Sequence, residues 1–577
     1  MTLQPNALGR RALELTEEEK QIFAKRRVGP FMVVGSSGTG RVLVAAHRVK
    51  RLVASRDWDR GDRILITARS GALARNTASI VSRLIPERVM ERQVEAVSLE
   101  EWLSAFLRDR GLPSEFLWPG DPRWEAAWEE AKAHIPESPE TLAKLSDSFW
   151  RSEFRDIILP FGIRTLSAYL EADRRGREVR MSDGKRMAAW PVFEAMRKAL
   201  AKHGADAVTF SDACFTALGL LRSGKARRRY RSVIALEAQD YADDVLRLLR
   251  ALTPDTSERR RGELLPQGDL FFVADEAAQT RCCARDLMRC GISVRSKRTF
   301  RLSAATRTTA EIRSAALLIR EGSLAKILES RTKRTLYRDD ECDATMFGPL
   351  PELYCAKGPE DETDWIARRI RFLLSALPSL RAQGIAVFAF SGDEAERLAS
   401  ALEARGIASQ RFAAGEALLA DQVCVSTLSE AAGLEFTAVF IAGADEGRVP
   451  EVPGFHGADD PENLERLQNL MAADAMARAR GLLFFSCPKA PGLLMRTLAD
   501  YLAVFAEGET KEKLSGYPPG KTLNLRFSPS ARLRIIPRGR FERPILSPRF
   551  HAERKFSGSL AEIPYLSKYG ISIYSAA

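Results

Sequence analysis

A glycine-rich hexapeptide, Gly35-Ser36-Ser37-Gly38-Thr39-Gly40, separates a short apolar run, Phe31 to Val34, from a helical pattern, Val42 to Val53. A strand, a glycine loop and a helix in that order can cradle a phosphate. The loop N–H groups and the positive end of the helix dipole then face the anion. Loops that hold nucleoside triphosphates in this way carry Lys and then Ser/Thr after the last glycine. Here those positions are Arg41 and Val42. Arginine keeps the charge, but it is planar and bulky where lysine is compact. Valine has no oxygen to offer a magnesium ion. Taken alone, the loop is as compatible with a turn that holds no ligand as with an anion site built on Gly35, Gly38, Gly40 and Arg41.

Two more segments end in groups that could do chemistry. Ser232 to Asp240 reads SVIALEAQD, an apolar strand that runs into Glu237, Gln239 and Asp240. Acids at a strand end can hold magnesium and position a water. The first position where such an acid would stand is Leu236. Leu270 to Gln279 reads LFFVADEAAQ, again a strand that ends in Asp and Gln.

The elements that must position these groups follow a βαβ rhythm. Arg63 to Thr67 is a further buried-strand candidate and is followed by a helical pattern. Strands alternating with helices imply a parallel sheet covered on both faces. From about Leu99 to Ala205 the pattern is helical, with tryptophans at 102, 118, 124, 128, 150 and 190, and it reads as an insertion. A second α/β set comprises Ile385 to Phe390, Gln422 to Ser426 and Ala438 to Ala442. The polar stretch Glu329 to Asp343 reads as a loop or linker. The expected plan is a first lobe over 1–98 and 206–290, a helical insertion over 99–205, a second lobe over 291–488 and a C-terminal extension over 489–577.

At 577 residues and 64.1 kDa the chain needs several cores. Its 45% hydrophobic and 28% charged residues fit a folded soluble protein. No apolar run is long enough for a membrane span, and the N-terminus does not read as an export signal, so a cytoplasmic location is expected. The net charge of +12 and pI of about 9.4 suit either a polyanionic partner or a merely soluble basic surface. The eight cysteines lack paired CxxC spacing, so reduced thiols are expected and no metal site.

The order of segments resembles the UvrD/Rep-like superfamily-1 DNA helicases. Leu15 to Glu19 (LTEEE) resembles the adenine-recognising segment, with Glu19 in place of Gln. Gly35 to Val42 resembles the phosphate loop. Thr67 to Ser70 (TARS) and Val94 to Leu103 (VEAVSLEEWL) resemble the next two motifs. Leu236 to Asp240 stands where the family has DExQD, and Val273 to Cys282 where it has VGDxxQxIY. Leu302 to Thr309 (LSAATRTT), Thr427 to Phe436 (TLSEAAGLEF) and Ala475 to Arg480 (AMARAR) complete the series. The likeness runs from about residue 15 to about residue 486.

The resemblance implies two RecA-like lobes of the P-loop NTPase fold. It implies Glu237, Arg307 and Arg478 as vestigial or weak catalytic groups. Gln239, Asp240, Gln279 and Glu435 would join the glycine loop and Arg41 on the nucleotide side. Thr67, Arg69, Ser98, Arg285 and Thr427 would face nucleic acid. The departures gather on one ligand, the metal-bound triphosphate. Arg41, Val42 and Leu236 replace its Lys, hydroxyl and Asp, Thr306 stands at the adenine-stacking Tyr, and Ser429 and Ala432 replace a His and a Lys. The large subdomain that the family inserts in its second lobe has no space between Phe412 and Asp421. The expectation is a degenerate, helicase-like DNA-binding protein, with single strands or junctions as ligand. It would be a non-hydrolysing subunit or scaffold in repair, recombination or defence, with a protein partner such as a nuclease and no membrane. ATP and Mg2+ would serve as cofactors only if the site is still competent. An active helicase or translocase, and a purely protein-binding module, are the two alternatives.

Overall fold

The computed structural model describes residues 13–504, apart from 24–28, 37, 57, 139, 175–178, 205, 228–229, 254–258, 261–262, 265–268, 276–286, 295–297, 317, 321–342, 414–417, 432–433, 446–460 and scattered positions between 490 and 501. Gln279, Arg285, Ala432, the Glu329–Asp343 linker apart from Asp343, and the extension beyond residue 504 therefore lie outside the described residues.

The first sheet has six strands, all parallel. From edge to edge they are Thr299–Arg301, Phe31–Val34, Asp269–Ala274, Ser232–Ala235, Ile64–Ala68 and Val94–Ser98. The four inner strands are mostly apolar and buried throughout because both faces are covered. Phe31, Val33, Ile64, Ile66, Ile234, Phe271 and Val273 pack on one side with Val44, Val49 and Leu73. Met32, Val34, Leu65, Val233, Phe272 and Ala274 point the other way, against Trp102, Leu246 and Leu249. The two-residue side-chain period of a strand splits each run between the two faces.

Strand order decides where chemistry can occur. The strand before the glycine loop and the strand before Glu237 are separated by Asp269–Ala274. All strands are parallel, so their carboxyl ends share one edge. Gly35, Arg69, Glu237 and Asp275 follow four of these ends. Crevices outside such an edge are where α/β sheets bind ligands.

The helical insertion has its own core, running from Leu117 to Ala207 and including Trp124, Trp128, Trp150, Phe154, Tyr169 and Phe193. Its neck is a two-stranded ribbon, Glu115–Leu117 beside Ala207–Thr209. The helix Leu99–Arg108 packs Leu99, Trp102, Leu103 and Phe106 into the first lobe instead.

The second sheet has seven strands in the order Ser409–Arg411, Val423–Thr427, Ile385–Ala389, Phe436–Ile441, Ala479–Cys487, Glu352–Cys355 and Ala503–Val504. Helices Pro359–Ala376 and Gly392–Glu403 cover one face through Ile366, Ile370, Leu398 and Leu402. Ile312, Ala315, Ala472 and Met476 cover the other, and Ala72 of the first lobe joins them. Ser409–Arg411 and Val423–Thr427 are direct neighbours in register, joined by residues 412–422. Among the described residues no helix is long and apolar enough to cross a membrane.

Candidate nucleotide cleft

The glycine loop is built by strand contacts at both ends. Gly35 N–H donates to Ala274 O at 3.2 Å, and Leu302 N–H donates to Val34 O at 2.8 Å. Gly38 and Gly40 have φ of 81° and 82°, the left-handed region that glycine enters without penalty. A Cβ on Gly38 would also lie 2.7 Å from Thr308 Cγ2, and one on Gly40 would collide with Glu19 Oε1. Gly40 then starts the helix Arg41–Val53, which has no side-chain cap. The scaffold of an anion site is thus present.

What surrounds the scaffold is less hospitable to an anion. Arg41 Nη2 lies 3.1 Å from Asp275 Oδ2, with only 18% and 4% of the two side chains exposed. Asp275 N–H donates to Gln239 Oε1 at 2.9 Å, and Gln239 Nε2 donates to Asp240 Oδ2 at 3.3 Å. Arg41 is thereby tied to the ends of two neighbouring strands. Arg307 N–H donates to Gly38 O at 3.0 Å, and Thr308 Oγ1 donates to Ala479 O at 2.8 Å. The strand Ala304–Thr309 therefore lies against the loop and ties it to the second lobe. Glu19, 2% exposed, brings a carboxylate to Gly40, and burial pushes its carboxyl up against the hydrogen bonds from Thr16 and the charge of Arg307.

Leu236 is 1% exposed and packs with Val33, Ile66 and Val273. A buried leucine there contributes about 2 kcal/mol, which a carboxylate in the same apolar setting would not supply. The next residue, Glu237, leaves the strand with φ of 51°, a rare conformation for a side chain with a Cβ. Burial and the charges of Asp240 and Asp474 push its carboxyl up to about 7, against the guanidiniums of Arg478 and Arg41. The native state therefore holds this proton where an unfolded chain releases it. The associated stability is complete below the unfolded value near 4.5 and is lost as pH rises through about 7. Glu237→Gln is expected to flatten the fall in stability between pH 5 and 8 by up to about 3 kcal/mol. Urea titrations at both pH values check this. Part of the slope survives, because burial likewise pushes Glu352 up to about 7 despite its bonds to Arg369.

The second lobe supplies the opposite wall. Burial pushes the Glu435 carboxyl up, but Arg480, Arg307 and Arg41 more than offset this and hold it below the usual carboxylate range. Arg480 Nη2 is 2.7 Å from Glu435 Oε2. Arg478 is 3% exposed; its Nη1 donates to Leu428 O at 2.7 Å and its Nη2 pairs with Asp474. Asp474 lies on the helix Pro461–Ala477, so this ion pair sits within the second lobe.

Of the residues expected to face nucleic acid, Thr67, Arg69 and Ser98 come together at the carboxyl ends of two paired strands, while Thr427 ends a strand of the second sheet. Arg69 is exposed, within electrostatic reach of Glu100. Thr67 is 0% exposed, beneath the layers that cover the sheet. Ser98 caps a helix, accepting from Glu101 N–H at 3.0 Å while Glu101 accepts from Ser98 N–H at 2.7 Å. Thr427 is half-buried and makes the same reciprocal pair with Glu430, at 3.3 and 2.8 Å. Asp474 and Arg480 were not singled out as functional from the sequence. Asp474 and Arg478 had a signal, since acid and arginine four apart meet on one helix face. Asp275 had only its place at a strand end.

No family model and no curated protein sequence matches the chain. Among solved structures, the C-terminal domain of a possible DNA helicase from Lactobacillus plantarum WCFS1 is similar at 20% identity and a TM-score of 0.23, covering 33% of this chain and 91% of that one. S. cerevisiae Dbp5 bound to RNA and ADP BeF3 is similar at 10% identity and a TM-score of 0.35, covering 83% of this chain and 86% of that one. A variant of that protein with the same ligands gives 0.33 over the same shares. By strand order the chain is an α/β protein of two parallel-sheet lobes, in contact where Arg307 N–H meets Gly38 O.

Proposed function

We propose that this protein is a helicase-like nucleic-acid-binding subunit or scaffold of a DNA repair, recombination or defence complex, and that its cleft does not turn over ATP. The observation that carries this reading is the ion pair of Arg41 with Asp275. The cation that should meet a triphosphate is already neutralised. The residues present do not fit Mg-ATP: Val42 and Leu236 offer no oxygen to a metal, and Glu19 adds negative charge at Gly40. The direct pairing of Ser409–Arg411 with Val423–Thr427 is consistent with a helicase-like lobe lacking a large inserted subdomain. The basic balance favours a polyanion such as single-stranded DNA, with a nuclease as one class of protein partner.

Two titrations on the full chain test this. Mg-ATP followed by calorimetry is expected to give no saturable heat, and single-stranded DNA is expected to add no ATPase. Labelled single-stranded DNA is expected to bind with an affinity that falls steeply between 50 and 200 mM salt, as phosphate contacts release counterions. DNA-stimulated turnover abolished by Glu237→Gln would revive an active motor. One feature favours that second reading: burial pushes the Glu237 carboxyl up to about 7, the range that suits a general base.

A further inference from the structure

Cys214, Cys290, Cys355, Cys424 and Cys487 are free thiols in buried positions, and two of them meet. Cys355 ends the strand Glu352–Cys355, and Cys487 ends the strand Ala479–Cys487. These strands are parallel neighbours in the second sheet, and the two cysteines are register partners. Directly paired residues of one ladder present their side chains on the same face, so both sulfurs enter the core that Leu353, Phe485 and Met495 share. Cys487 Sγ lies 3.6 Å from Cys355 Sγ and 3.8 Å from Tyr354 O. Neighbouring strands run about 4.8 Å apart, inside the Cα separation of about 4.4–6.8 Å that a disulfide spans. The sulfurs therefore need to close by only about 1.6 Å to reach the bonded length near 2.0 Å. Both thiols also stand close to a way in. Lys357 and Lys489, two residues beyond each cysteine, are exposed. The shorter strand has four residues, so opening at its end bares a thiol without unfolding the lobe.

We propose that Cys355 and Cys487 are a redox-modifiable pair, which a peroxide oxidises to a disulfide joining two strands of the second sheet. The Cys487 S–H holds the Cys355 thiol below its ordinary range, against burial and the charge of Asp445, so Cys355 attacks first. Its sulfur forms a bond to one peroxide oxygen as the O–O bond breaks, and the departing hydroxide takes the Cys355 proton as water. The Cys487 sulfur then displaces the hydroxyl of the resulting sulfenic acid, which leaves with the Cys487 proton as a second water. Two thiols lose two electrons in all, and hydrogen peroxide gains them. The new bond closes a loop that contains the strands 385–389, 409–411, 423–427 and 436–441, so it constrains the unfolded lobe strongly. Oxidant thereby stabilises the lobe that carries Glu435 and Arg480. The pair belongs to the second sheet alone and acts whatever the cleft binds.

Hydrogen peroxide added to the native full chain, followed by alkylation in urea and peptide mapping, reads the pair directly. Complete conversion of Met288, 68% exposed, to its sulfoxide marks when the oxidant has acted. At that stage the peptides with Cys355 and Cys487 are expected as one linked species that dithiothreitol separates. The unfolding constant of the second lobe in urea, read by hydrogen exchange over 436–441, should be about tenfold or more lower in the oxidised chain than in the reduced one. Cys355→Ser should remove both effects, and Cys214→Ser should remove neither. Recovery of both cysteines as alkylated thiols, or separately as sulfinic acids, overturns the proposal. So does a link that forms only after urea has opened the lobe, since it then owes nothing to the native pairing. The parent chain alone yields each of these outcomes, so a variant that fails to fold leaves the test intact.

Discussion

Arg478→Ala is expected to destabilise the second lobe by about 2–4 kcal/mol, since it strips a buried carbonyl of its donor and opens a cavity, while Asp474, 34% exposed, is partly screened by solvent. The wild-type guanidinium satisfies the Leu428 carbonyl at 2.7 Å, pairs with Asp474 and lies 5.6 Å from the centre of the Phe388 ring. Truncation leaves the carbonyl without its donor and the carboxylate without its counter-charge, and it opens a cavity beside Phe388. Arg478→Lys keeps the charge but loses the fork that serves both acceptors, so a smaller loss is expected. Hydrogen exchange in the strands 385–389 and 436–441 during urea unfolding reads the lobe separately from the rest. A variant within about 1 kcal/mol of the parent would show that the arginine is not part of the lobe's framework. The position corresponds by resemblance to a phosphate-sensing arginine, so the result also separates a structural role from a catalytic one.

Arg174→Ala is expected to cost a similar amount in the helical insertion. Glu153 is 0% exposed there, and Arg174 grips it with two hydrogen bonds, Nε to Oε1 at 2.5 Å and Nη2 to Oε2 at 2.8 Å. Tyr169 donates its hydroxyl to Oε1 at 2.8 Å, and Arg174 Nη1 reaches Val179 O at 2.8 Å. Without the guanidinium a carboxylate remains in an apolar core among Trp150, Trp190 and Phe193. About 3–5 kcal/mol follows from the uncompensated charge alone. Pairing the change with Glu153→Leu removes the orphan and should recover most of the loss, whereas Arg174→Ala with Glu153→Gln should recover less. The buried tryptophans make the transition visible by fluorescence. Equal stability of Arg174→Ala and the parent would contradict the assignment of Glu153 as a charged, buried partner.

The backbone of this protein was largely legible in the one-dimensional pattern. Short apolar runs such as Phe31–Val34 and Leu270–Ala274, bounded by glycine or acid, are what a strand covered on both faces requires. The loop at Gly35–Gly40 announced itself through its spacing. Ser98 and Thr427 carried a further local signal, because each is followed three residues later by Glu: in the fold Ser98 caps a helix with it and Thr427 closes a turn with it.

The amino-acid order by itself therefore determined the element types, the two α/β sets and which residue types stand at the strand ends, since these depend on periodicities of two and 3.6 residues. Only the tertiary structure decided what those end residues do. Arg41 meets Asp275 across more than two hundred positions of chain, Thr67 lies beneath the layers that cover the sheet, and Leu236 becomes core. The reason is physical: a side chain's charge state and partners follow from which strand ends lie side by side, and the 6-strand order that puts Asp269–Ala274 beside Phe31–Val34 is a non-local pairing that no local pattern encodes.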